Sequence, residues 1–319
     1  LKRTLYVLPA LLGAFFLTVG LLVQLWATPH LKRTPLDIDS TTLLAGSAKL
    51  FDGASVKTFP VKATSITKTD ADRSTDDVVV FHDGFCLVKN VGTIGQCVSA
   101  KDPQGRLVSA GQSIYAADRV SAKGVNDPAF VRNGLTARTG LLNKWPFDAK
   151  KKAYPVWDDQ LGTTTPAKYT GTEDVRGLKT YRYTLSVKDV KSEVLEKTPG
   201  LYSTQKTYWV DPVSGSIVKV DQSETRTTLD GQLLADIKIQ QTPDSVATAV
   251  GDAKADKRNL TMLRFLPVIA YIGAGAMAVM ALGLWLRRRT PADPGAHVAT
   301  STESVDPTLV ALDRSGHPV

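Results

Sequence analysis

The sequence predicts a mainly β (α+β) domain, an antiparallel and barrel-like sheet, flanked by two transmembrane α-helices. Three observations predict it. Two apolar runs without a charge, LYVLPALLGAFFLTVGLLVQLW over residues 5–26 and FLPVIAYIGAGAMAVMALGLWL over 265–286, lie near the two ends of the 319-residue chain. Between them, several stretches alternate apolar and polar residues with the period of a half-buried strand. Turn residues such as Asp230-Gly231 and Asp211-Pro212 separate those stretches.

The first run is long enough to span. A helix rising about 1.5 Å per residue crosses the roughly 30 Å hydrocarbon core with such a length, whereas a secretory apolar region is usually about 7–15 residues. A cut after Ala27 places Leu25 where a small residue is wanted, and a later cut meets Pro29. Residues 5–26 therefore read as a retained anchor behind a short terminus, 1–4. The second span is expected over 263–286, stopped by Arg287-Arg288-Arg289, and Trp26 and Trp285 sit where amphipathic rings favour the headgroup layer. The tail, 287–319, is rich in Pro, Ser, Thr and Asp and is expected to be disordered.

Basic residues near the membrane edges are nearly balanced: Lys2 and Arg3 with the three arginines on one side, Lys32, Arg33, Lys257, Arg258 and Arg264 on the other. The export-signal character of the first span and the two cysteines of the middle segment orient the chain. The expectation is a two-pass plasma-membrane protein with both termini cytoplasmic and residues 27–262 extracytoplasmic.

Within 27–262, Asp77–His82 and Cys86–Val88 read as strands, with an Asp83-Gly84 turn following His82. Gln104–Tyr115 reads as another strand. Thr180–Val187 places Tyr181, Tyr183, Leu185 and Val187 on one face and Arg182, Thr184 and Ser186 on the other. Lys206–Val210, Ser216–Thr227 and the Leu233–Ile239 stretch form a three-stranded meander across the turns at 211–215 and 230–231. Asp189–Lys197 reads as a short helix, and Pro243–Asn259 as a helical stalk running into the second span.

The cysteines, Cys86 and Cys97, bracket VGTIG in a hairpin-like pattern, FCLVKN and QCVSA reading as strands. A disulfide there closes a small ring, worth about 2–3 kcal/mol if unstrained. Small residues at four-residue spacing, Ala10 and Ala14 in the first span and Ala270, Ala274 and Ala278 in the second, are candidates for close helix packing.

Chemistry is sparse. The sequence holds no G-x-S-x-G, H-E-x-x-H or P-loop motif, and its four histidines with two cysteines make a poor zinc ligand set. No catalytic residue, cofactor or metal is expected. His82-Asp83 is half of an acid–base pair at most, and Asp158-Asp159 reads as a turn or as surface ion pairing with Lys150–Lys152. The whole chain carries a net charge of +8, and within 27–262 the basic residues are spread out apart from that lysine triplet. With no basic helix, finger or RNA-binding motif, nucleic acid is not expected as a partner.

The segments WPFDAKKKAYPVWD (145–158), GTEDVRGLKTYRY (171–183) and YWVDPVSGSIV (208–218) resemble the actinobacterial PorA family of membrane proteins, formerly a domain of unknown function. The resemblance extends over nearly the whole chain. It implies a cell-envelope protein, connected with envelope lipids or lipoglycans and with other membrane proteins of envelope biosynthesis. A porin of the outer-membrane kind crosses as a closed β-barrel with an apolar outer band. This chain instead offers apolar helices, and its strands carry charge freely, as at Lys219, Asp221, Glu224 and Arg226. The plan is also similar to that of scavenger-receptor class B proteins, whose ectodomain encloses a lipid tunnel. The functional expectation is an anchored, non-catalytic domain that binds or hands on envelope lipids or lipoglycans through an apolar groove or tunnel. The rival expectations are a scaffold of an envelope assembly and an oligomeric channel.

Overall fold

The structure is a computed structural model that describes residues 4–132, 134–195 and 197–289. The terminus before Thr4 and the tail after Arg289, where disorder is expected, lie outside the described residues. The described residues divide into two compact units, 4–17 with 272–289, and Thr18–Tyr271.

Helix α1 (Thr4–Leu22) passes into a π-helical turn, Val23–Ala27, and a short α2 (Thr28–Leu31). Thr28 Oγ1 donates to the Val23 carbonyl at 2.9 Å, occupying an acceptor within the widened turn. Helix α3 (Pro243–Arg289) is continuous, so the expected stalk and span are one element. Its start is well specified: Thr242 accepts from the Ser245 N–H, Pro243 needs no amide partner there, and Asp244 sits at the positive end of the dipole. Stretches 6–31 and 243–287 are both long and apolar enough to cross a membrane.

In the first unit, a Cβ at Gly13 would lie 3.3 Å from Met277 Cβ and 3.4 Å from the Ala274 carbonyl, so α1 and α3 meet there through a glycine. In the second unit, Gly20 faces the Tyr271 ring, and Tyr271 Oη donates to Gln24 Oε1 at 2.6 Å.

The sheet has eleven antiparallel strands: β1 (Asp39–Phe51), β2 (Val56–Asp70), β3 (Val78–Lys89), β4 (Leu107–Asp118), β5 (Gly124–Val125), β6 (Tyr154–Asp158), β7 (Thr163–Val175), β8 (Leu178–Leu195), β9 (Thr198–Val210), β10 (Ile217–Thr228) and β11 (Leu233–Gln241). Their order is β5-β4-β3-β2-β1-β11-β10-β9-β8-β7-β6. Two meanders are thus joined where β11 returns to pair with β1. The sheet curls until its edges meet across one residue. Leu141 donates to the Pro155 carbonyl at 2.8 Å and accepts from Trp157 at 2.9 Å beside β6, while Gly124 of β5 donates to the Gly140 carbonyl. Gly140 has φ +69°, and a Cβ there would come within 2.6 Å of the Pro155 oxygen, so the seam requires glycine.

Register defines the inner face. Tyr183 on β8 pairs with Tyr208 on β9 and Tyr169 on β7, and Leu185 pairs with Lys206 and Ala167. The same face continues through Gln222 and Glu224 to Ile239 and Ile237, then to Ala48, and through Ala63 and Leu87 to Phe81 and Tyr115. Residues 141–149 cross over this face: Trp145 is fully buried and stacks on Tyr183 at 5.1 Å, and Leu142 packs beside Phe81 and Tyr115. On the outer face Trp209 and Val218 receive Val246, Val250 and Ala253 of α3.

Four local expectations are overturned. Asp189–Lys197 is no helix; its described residues through Leu195 continue β8, with a bulge after Val187 and Asp189 at φ +49°. Val190 and Val194 share a face at either period, so the pattern could not separate strand from helix, and pairing with β9 decided it. Asp83-Gly84 is no turn but mid-β3, held between Thr67-Ile66 of β2 and Ser113-Gln112 of β4. QCVSA is loop, not strand, because β3 pairs directly with β4 and leaves it no ladder. Asp158-Asp159 opens a turn, as one of its two readings had it, but the other, ion pairing with the lysine triplet, fails: Asp158 is fully buried against Lys206 at 3.2 Å, and Asp159 pairs with Arg138 at 2.7 Å.

Candidate functional site

A groove of about 630 Å³ opens over β2, β3 and β4 beside residues 135–138. Three rungs of the sheet build it. Lys68, His82 and Ile114 are in register on one, Thr67, Asp83 and Ser113 on the next, and Ile66, Gly84 and Gln112 on the third. Gly84 leaves open space where a side chain would stand. The far wall is Leu135, Thr136 and Arg138.

Each charged group has a defined hold. Asn126 closes the loop by donating to the Arg138 carbonyl and accepting its N–H, both at 2.8 Å. The Arg138 guanidinium lies 4.8 Å over the Tyr115 ring and pairs with Asp159, which also accepts from Trp157 Nε1. Tyr115 Oη donates to Asp83 Oδ2 at 2.6 Å, while Asp83 Oδ1 is buried without a protein partner. Burial pushes the Asp83 carboxyl above its ordinary value, against the hydrogen bonds from Tyr115 and Thr67. Burial, and then the neighbouring Asp83, push the Tyr115 phenol well up. His82 contacts Asp70 at 3.2 Å and Lys68 pairs with Asp39 at 2.8 Å.

This lining is mixed: two cations, an imidazole, a carboxyl, amide and hydroxyl groups, and the aliphatic Ile66, Ile114 and Leu135. It suits a ligand with many hydrogen-bonding groups and some charge. His82 bonds Asp70 rather than Ser113, so the groove presents no nucleophile–base pair among the described residues. No cluster of three or more His, Cys, Asp or Glu suited to a metal occurs among the described residues. A second groove, of about 470 Å³, lies over β1, β11, β10 and β9, with Ser47, Gln205, Thr207, Ser223 and Lys238 among its lining.

Cys86 on β3 is bridged to Cys97, with Cα atoms 5.8 Å apart. The bridge folds the β3–β4 loop back over β2, where Thr64 Oγ1 donates to the Gln96 carbonyl at 2.8 Å and Lys62 to the Ile94 carbonyl at 3.1 Å. The five alanines all fall on the two apolar helices. Ala270 is buried in the second unit; in the first, Ala10 and Ala14 are exposed, and Ala274 lies at the Gly13 contact.

The groove was not legible as a site, because its residues come from three strands and one loop. Only His82-Asp83 drew notice, and as adjacent strand residues they point to opposite faces. A buried polar cluster at Asp158 was also not legible. Asp158 accepts from Gln160 N and Leu161 N, and lies within reach of Lys206 and Tyr202 inside the sheet. Burial alone would lower the Lys206 ammonium, but Tyr208 and Asp158 outweigh it and hold the lysine charged.

A protein-family model described as "Porin PorA" matches residues 7–285. A Porin PorA of Corynebacterium amycolatum is 24% identical over 230 residues, which are 59% of this chain and 58% of that protein's length. The family match runs from the first apolar helix through the curled sheet and its groove to the end of the second apolar helix, and the chain therefore belongs to the Porin PorA family.

Proposed function

We propose that this is a membrane-tethered envelope protein that binds the polar part of an envelope lipid or lipoglycan, without catalysis, in the groove between His82 and Arg138. The observation that carries it is the groove itself, about 630 Å³ with Lys68, His82, Gln112 and Arg138 among its lining, in a domain flanked by two apolar helices. The expected apolar tunnel has no counterpart in the inner face described above, which Trp145, Tyr183, Tyr202 and Phe81 fill. An acyl chain needs an apolar slot, and both grooves are mixed in lining. The reading therefore moves from the acyl chain to the headgroup or glycan.

The family description favours a second reading, an oligomeric channel. Such a pore needs polar helix faces, and Gln24, one of the few polar side chains of the spans, is already paired with Tyr271. The test uses the full-length protein in mild detergent and residues 30–260 without detergent, each extracted for mass spectrometry. One defined lipid or glycan class retained by both, and lost from Arg138→Ala, is the expected result. Lipid on the full-length protein alone would be annular and would favour the scaffold. Steady conductance across a planar bilayer would favour the channel.

A further inference from the structure

We infer that the lysine triplet Lys150-Lys151-Lys152 is a contact for anionic lipid headgroups of the bilayer that holds the tether. The inference rests on the reading of α1 and α3 as spans and is independent of the groove ligand.

Height comes from the anchors. The charge-free run ends at Trp26, and the helical path from there to Lys32 rises at most about 9 Å. Lys32 forms an ion pair with Asp148, which fixes the start of the triplet segment at that level. The headgroup layer extends about 5–7 Å beyond the hydrocarbon, and charges act over about 8 Å more at physiological salt. The chain from Asp148 reaches Lys150–Lys152 within about 7–14 Å, so the triplet lies in that zone provided the segment runs along the membrane surface and not away from it.

Chemistry then selects the partner. Lys150, Lys151 and Lys152 are exposed and take part in no ion pair among the described residues, whereas nearby Lys32 and Arg33 are paired with Asp148 and Asp77. The segment is held from beneath: Tyr183 Oη donates to the Lys150 carbonyl at 2.7 Å, and the Lys150 N–H donates to Tyr154 Oη at 2.8 Å. Lys151 lies 5.7 and 5.5 Å from the Tyr169 and Tyr181 rings, Lys152 5.2 Å from Tyr154, and Lys144 3.8 Å from Phe147. Lysines on an aromatic shelf beside a helix end match the composition of a membrane interface. Three uncompensated positive charges at that height are complementary to an anionic surface.

The test reconstitutes the full chain in vesicles of phosphatidylcholine, alone or mixed with phosphatidylglycerol, and maps lysine acetylation by mass spectrometry. Labelling of each triplet lysine is expected to fall about fivefold in the anionic vesicles and to recover in high salt, with Lys57 of the β1–β2 hairpin unchanged. Equal triplet labelling in both vesicles, with the protein floating with lipid, overturns the inference and leaves the groove reading standing. A chain that does not float with vesicles overturns the tether reading and this contact with it.

Discussion

The two walls of the curled sheet are built differently. The wall of β6–β9 is aromatic and filled: Trp145, Tyr154, Tyr169, Tyr183 and Tyr208 form one cluster of stacked and edge-on rings. The wall of β1–β4 is lighter, built mostly on the aliphatic Leu44, Ala48, Val61, Ala63 and Leu87, with one stacked ring pair, Phe81 and Tyr115. Large rings need a filler from across the sheet, and residues 141–149 supply it. Small side chains build the lighter wall, and the groove opens further along its strands, beside Gly84, where no side chain stands. The difference teaches that ring packing closes one wall, while the other keeps a groove open along β2, β3 and β4.

The largest effect should come from emptying the filled wall. Trp145→Ala removes the ring that Tyr183 and Tyr208 pack against and should cost about 3–5 kcal/mol in denaturant unfolding. A loss below about 1 kcal/mol would mean that the crossing segment is ornamental and the comparison is wrong. Next is the buried pair. Asp158→Asn leaves Lys206 charged and underpaired and should cost about 2–3 kcal/mol, less than a wholly buried pair because Lys206 keeps some solvent access. Adding Lys206→Met should recover most of that loss, and a double-mutant cycle measures the recovery.

On the lighter wall, reduction of Cys86–Cys97 should cost about 2 kcal/mol and expose residues 90–106 to protease, seen as a lower melting temperature and an early cleavage in that loop. Smallest is the groove carboxyl. Burial raises the Asp83 pKa, so the fold favours its protonated form. That contribution is complete below the ordinary carboxylate pKa of about 4 and declines as pH rises through the raised value. Asp83→Asn should therefore flatten the loss of stability above about pH 4, and at neutral pH the variant should melt no lower than the parent. An unchanged pH profile would show that Asp83 is better solvated than the lighter wall implies.

How much was legible follows from the range of each signal. The alternation of Tyr181, Tyr183, Leu185 and Val187 is local, and it places β8 correctly. The turns at 211–215 and 230–231 are local too, and the meander β9–β10–β11 follows them. Asp83-Gly84 shows the converse. Its turn chemistry is genuine, but pairing on both sides outweighs the propensity of two residues. Small residues were legible only as rows. Ala274 of the expected row does stand at a close helix contact, but its partner Gly13, and Gly20 against Tyr271, lie outside the alanine spacing.

By itself, the sequence determined the apolar helices, the β-rich segment between them and the one bridge its two cysteines could form with each other. Helix length, strand period and the count of thiols are properties of short stretches. Only the tertiary structure decided that β11 pairs with β1, that Leu141 closes the seam, that Asp158 is buried on Lys206 and that His82 shares a groove with Arg138. Those features join residues far apart in the chain, and their free energy appears only once the loops between them have closed.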